Sequence, residues 1–188
     1  MVRAANTRSV PRRPLLLAGL AMTSVLLGQP PGLAPAAASS ATAALPPSIT
    51  VTERVHLGVT PARAWHAVED FMAWPAWHTG FGSTQTLKGN GHSPGSVRLL
   101  IASDGTRSTD ELLRFDGASH GLQFRTLRSA LPLTDCVSTL MVLPHRSGSI
   151  VVLSATFRPQ PQAKESDLRS AVAQLQRRGL DNLATAFD

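Results

Sequence analysis

Ser166-Asp-Leu-Arg-Ser-Ala-Val-Ala-Gln-Leu-Gln-Arg-Arg-Gly-Leu-Asp-Asn-Leu-Ala-Thr-Ala-Phe187 closes the chain and decides its fold. Leu168, Val172, Leu175, Gly179, Leu183 and Phe187 recur at helical intervals, with Arg169, Gln176 and Arg177 on the other side. The spacing predicts a long amphipathic helix, whose apolar stripe has to lie on something apolar.

What it lies on is predicted by the residues before it. Ile49 to Leu57 alternates with period two, so Ile49, Val51, Val55 and Leu57 share a face, and Glu53 falls among them. Thr60-Pro61 is a capping residue followed by proline at the first helical position, leading into Ala62 to Asp70, with Trp65 and Val68 pointing inward. Phe71 to His78 is rich in aromatics and broken by Pro75, so it is not one regular helix. Strand patterns follow at Thr84 to Lys88, Ser96 to Ala102, Ser108 to Phe115, Leu122 to Leu127, Thr134 to Leu143 and Ser149 to Phe157. Asp104-Gly105 between two of them is the strongest hairpin signal. The order is strand, two short helices, six strands and long helix. It predicts an α+β fold in which a curved antiparallel sheet of about seven strands wraps the C-terminal helix, leaving a ligand cavity between them.

The N-terminal stretch sets the expected location. Arg3, Arg8, Arg12 and Arg13 precede the apolar run Leu15 to Leu27, and small residues follow around Ala34 to Ala44. That order reads as a secretory signal peptide over residues 1–43, by the Sec or the Tat route, ahead of one domain at 44–188. The expected location is therefore periplasmic or secreted, with no stable membrane anchor after cleavage. Four of the 18 Lys and Arg residues lie in this leader and none of the 12 acids does, leaving 14 against 12. A domain so nearly neutral, with no basic stripe, is not expected to bind nucleic acid. Cys136 stands alone among Val137, Leu140 and Val142, which favours a buried thiol over a reactive one. The six histidines are scattered, so neither a metal nor any other cofactor is expected.

Two groups of side chains are candidates for chemistry. Strand parity places Glu111 with Leu113 and Phe115 on the inward face, where an acid needs a ligand or a partner such as Arg98. Glu53 poses the same question, and exposure at the sheet end or pairing with Arg158 is the favoured answer. Trp74, Trp77 and His78 sit where the short helices meet the sheet. They are read either as a cavity mouth with a titrating imidazole or as core with a turn cap. Phe124 and Leu113 complete the expected apolar lining, and Arg98, Arg125 and Arg128 are expected on polar faces. Ser138 and Thr139 lack a Gly-x-Ser-x-Gly setting, so nucleophilic hydrolysis has no support.

The sequence resembles the START-like (SRPBCC, helix-grip) superfamily, which includes plant allergen and hormone receptor domains and the polyketide cyclase/dehydrase group. The residues that carry this are Val51-Thr-Glu-Arg-Val55, Thr60-Pro-Ala-Arg-Ala-Trp65, Asp70-Phe71, Pro75-Ala-Trp-His78, Pro94-Gly-Ser-Val-Arg98, Asp104-Gly105 ahead of Glu111, and Arg177-Arg-Gly-Leu180 with Leu183. The resemblance implies a domain that binds a small apolar or amphipathic molecule, with Glu111 at the place of a glutamate that anchors ligands through water. Pro75-Ala-Trp-His78 is also similar to the small periplasmic proteins that accompany methanol dehydrogenase, which implies a dehydrogenase or cytochrome partner and a surface contact that Trp74 would supply. A cyclase would instead use Glu111 or His78 as its base.

Overall fold

The computed structural model describes residues 46–188, so the expected leader lies outside the described residues. The elements are β1 (Ile49–Leu57), α1 (Pro61–Val68), α2 (Trp74–Trp77), β2 (Ser83–Lys88), β3 (Val97–Ile101), β4 (Arg107–Asp116), β5 (Gly121–Arg128), β6 (Leu133–His145), β7 (Gly148–Pro159) and α3 (Glu165–Phe187). Thr60 caps α1 by accepting from the Arg63 N–H at 3.4 Å, and Pro61 opens the helix. Pro75 likewise falls in the first turn of α2, where its missing N–H costs nothing, and α2 is a single turn.

The sheet has seven antiparallel strands in the order β1-β7-β6-β5-β4-β3-β2, a meander with β1 returning beside the last strand. This is the predicted helix-grip architecture. Register shifts interrupt the ladder within β2 and β3, twice between β4 and β5, and between Thr134 and Val137 on β6. Such bulges bend strands and raise the local twist, which suits a sheet that must curve around a helix.

Helix α3 packs along β1. Glu53 meets Arg177 at 2.9 Å, and Arg169 donates to the Thr50 carbonyl at 3.3 Å. Glu53 thus has its partner on the helix and not at Arg158, which pairs with Asp135 instead. The buried side of α3 carries Leu168, Val172, Gln176, Gly179, Leu180 and Leu183. Gln176 therefore faces inward, against the expected polar side, because Val172 and Leu180 at i−4 and i+4 put it on the buried row. Gly179 lies where α3 packs against the end of α2. A Cβ there would lie 2.5 Å from His78 Cδ2 and 2.9 Å from Trp77 Cζ3.

The interior divides into two apolar clusters. One gathers Trp65, Val68, Phe71, Trp74, Trp77, Leu112, Leu122 and Phe124 under the short helices. The other gathers Ile49, Val51, Leu133, Cys136, Ala155, Phe157, Leu168 and Val172 at the start of α3. Among the described residues no helix is long and apolar enough to cross a membrane.

Candidate functional site: a pocket between the two core clusters

Register builds the site. Arg98 on β3 stands opposite Asp110 on β4, and both share the inner face with Leu100 and Leu112. The Arg98 side chain is 0% exposed, and its Nε and Nη2 donate to Asp110 Oδ2 at 3.3 and 3.0 Å. Its Nη1 donates to the Phe71 carbonyl. The guanidinium carbon lies 4.0 Å from the Phe71 ring centroid, 4.2 Å from that of Trp74 and 5.1 Å from that of Phe124, so three aromatic faces share the cation. Thr126 completes the arrangement by donating to Asp110 Oδ1 at 2.9 Å. Burial lowers the Arg98 pKa to about 10 against the pull of Asp110, which leaves the group charged at neutral pH.

Beside this pair, between the sheet and α3, lies a pocket of about 90 Å³. Residues of both clusters form its wall: Trp74, Leu100 and Phe124 from one, Leu133, Ala155 and Val172 from the other. Asp110, Thr126, Ser138, Gln176, Cys136 and His78 supply its polar lining. The volume is far below the roughly 300 Å³ at which sites for drug-sized ligands begin. The Arg98 guanidinium packs against Trp74 and Phe124, two of the residues in the pocket wall.

His78 is 1% exposed, with its ring stacked on Trp74 at 5.7 Å and 11°. Burial brings its pKa down to about 4, with nearby Arg178 and Arg98 adding to the effect. The expectation of a proton exchanging near neutral pH is therefore corrected. Nδ1 accepts the Gly80 N–H at 3.1 Å, so the neutral ring carries its proton on Nε2 and presents a donor. Desolvation raises the Cys136 thiol pKa, and the cysteine is buried as predicted.

The other sequence candidates divide. Trp74, His78 and Phe124 line the pocket. Trp77 is buried outside that lining, packed on Trp74 at 5.0 Å, and its carbonyl accepts from Asn182 Nδ2 of α3 at 2.9 Å. Trp74 is 4% exposed and forms no surface patch. Glu111 and Leu113 do not face the pocket. Glu111 sits across the strand from Asp110 and takes Arg125 Nε and Nη2 on its Oε2 at 2.7 and 2.6 Å. The reason is the register shift between Leu112 and Arg114. Phe115 does share the inner face with Leu122, its partner, but the bulge inserts a residue between it and Leu112. Parity counted back from Phe115 therefore comes out inverted at Glu111.

That same inversion hid Asp110, and the placing of Arg98 on a polar face is corrected as well, since Arg98 shares the buried face of β3 with Leu100. One signal was available. Counting outward symmetrically from Asp104 as the middle of a three-residue turn brings Arg98 opposite Asp110, two opposite charges each two residues from a leucine on the same face, whereas a two-residue Asp104-Gly105 turn would bring it opposite Glu111.

A second opening lies on the sheet. Pairing of β5 with β6 runs from Gly121↔Met141 to Arg125↔Val137 and stops there. Asp135, at φ 52°, turns the bulged segment of β6 away, and a groove of about 700 Å³ forms where the two strands splay. Thr126, Ser129, Leu133 and Cys136 belong to the walls of both groove and pocket.

A seven-stranded meander gripping a C-terminal helix, with a pocket between them, defines the helix-grip class of ligand-binding folds. The family model for polyketide cyclase / dehydrase and lipid transport matches residues 48–188, and the chain belongs to that family. Among solved structures, the chain is similar to a protein from Thermobifida fusca, at 24% identity over 73% of this chain and 92% of that one, with a TM-score of 0.67. It is also similar to XoxI from Bacillus cereus, at 20% identity over 74% and 94% and a TM-score of 0.64. Ara h 8.0201 aligns at 19% identity over 75% and 98%, with a TM-score of 0.61. At these identities the likeness establishes the fold. No curated protein matches the chain.

Proposed function

We propose that this protein is an exported domain that binds a small amphipathic molecule in the pocket between sheet and α3. The observation that carries this is the mixed wall of the pocket, where Thr126, Ser138 and Gln176 join apolar side chains around an interior space. A core optimised for stability alone fills such a space and avoids the buried Arg98–Asp110 pair, since apolar residues of similar volume often serve stability as well. Membership of a family described by cyclisation and lipid transport supports the same reading. Export rests on the arginines and apolar run of the leader.

The other readings have less behind them. An accessory contact with a periplasmic dehydrogenase or cytochrome relied on an exposed Trp74, which is buried. A cyclase needs a base at the pocket, but Glu111 pairs with Arg125 on the other face of the sheet and His78 offers only a donor.

The test is native mass spectrometry of the mature protein from its own cells, beside an Ala155→Leu variant whose larger side chain intrudes on the pocket. A discrete small molecule carried by the parent and lost from the folded variant is the expected result. Equal occupancy in the two proteins, or an empty parent that takes up no short or long amphiphile on titration, would overturn the reading.

A further inference from the structure

A second hollow, of about 270 Å³, adjoins the pocket beside α3. Phe81, Leu131 and Leu175, with Ser108 and Ser129, belong to the walls of both. On α3 its wall is the row Ala171, Gln174, Leu175 and Arg178, spaced i, i+3, i+4 and i+7 and so on one face of the helix. The turn between β3 and β4 contributes Asp104 and Thr106. Arg178 and Asp104 are the two charged residues of this wall, and they are not equivalent. Asp104 is engaged by its own turn: its Oδ1 accepts the Thr106 N–H at 2.8 Å, and that bond holds its carboxyl below the usual carboxylate range. Among the described residues the Arg178 guanidinium makes no ion pair and no hydrogen bond, whereas Arg177 beside it pairs with Glu53 on β1. Resting on the ligand-binding reading, we propose that the ligand is an amphipathic anion, whose carboxylate pairs with Arg178 in this outer hollow and whose apolar body lies over Phe81, Leu131 and Leu175 toward the pocket.

Charge and exposure decide where the head sits. Inside the pocket an anion finds no free counter-charge, because Arg98 is held by Asp110 and the Phe71 carbonyl. At Arg178, which is exposed, the head keeps its water while the apolar body is covered. The planar guanidinium matches a carboxylate with two parallel N–H···O bonds, which are stronger than bonds between neutral groups. Its field also reaches both walls: beyond burial at His78 and the Thr106 bond at Asp104, the charge of Arg178 lowers the pKa of each. A cationic amphiphile meets Arg178 as a like charge, and a neutral one gains nothing from it.

The experiment is isothermal titration calorimetry of the mature protein and its Arg178→Gln variant with octanoate, octanol and octyltrimethylammonium, eight-carbon chains with negative, neutral and positive heads. An apolar wall alone favours octanol, since the carboxylate has more water to lose. The expected result is octanoate binding the parent about tenfold more tightly than octanol, with octyltrimethylammonium weakest, and the octanoate-to-octanol ratio falling to one or below in Arg178→Gln. The ratio is read within each protein, so a loss of folded material acts on both ligands alike and leaves it unchanged. A parent ratio near one, a ratio that survives Arg178→Gln, or a preference for the cation would overturn the anionic assignment and leave the ligand-binding reading standing. Heat from none of the three would end both.

Discussion

Arg98 holds a full charge with no exposed surface, and Asp110 and three aromatic rings are what make that tolerable. Cutting the side chain back strands the carboxylate in the core. We expect Arg98→Met to lose about 3–5 kcal/mol in urea unfolding, and the double variant Arg98→Met with Asp110→Leu to lose clearly less, because it removes both charges together. Double-variant loss equal to the single would show that ring packing, not charge, dominates. His78 makes a pH prediction of the opposite kind. Its folded pKa of about 4 lies below the unfolded 6.5, so between those values the unfolded chain binds the extra proton. Its contribution is complete above about pH 6.5 and fades as pH falls toward 4, by about 3 kcal/mol in all. Denaturation midpoints measured across that window should lose this component of their slope in His78→Phe, while the remaining carboxylates keep theirs.

Among elements, the approach of α3 to α2 is a close one. In an open helix Gly179→Ala gains about 1 kcal/mol of helix propensity. Here the new methyl group has no room beside His78 and Trp77, both fixed in the core, so the substitution should destabilise by about 1–3 kcal/mol. A thermal melt decides it, and a rise in Tm would mean that α2 yields freely. Elements also mark where sequence reading works. The alternating faces of β1, the Thr60-Pro61 start of α1 and the length of α3 follow from patterns spanning a few neighbouring residues. The phase of β4 does not. One inserted residue beyond Leu112 exchanges its faces, and only the partner strand reveals it. The rotation of α3 that takes Gln176 inside is a similar case, since a single polar residue on a wide apolar stripe weighs little in any periodicity.

For the whole molecule, element order was enough to predict the meander and the helix it encloses, while the pairing of β1 with β7 came only with the structure. The pocket was legible only in part. Trp74 and His78 were found as aromatics near a joint and Phe124 as apolar lining, whereas Arg98, Asp110 and Gln176 depend on cross-strand register and on how tightly the two clusters close around them. The early end of the β5–β6 ladder has one more consequence. A cargo sealed under a helix ordinarily waits for that helix to lift, which ties its release to partial unfolding. Here Thr126, Ser129, Leu133 and Cys136 stand between pocket and groove, and no β5–β6 pairing crosses them. An opening there would leave the β5–β6 ladder and the grip of the sheet on α3 whole, so loading and emptying are not tied to unfolding.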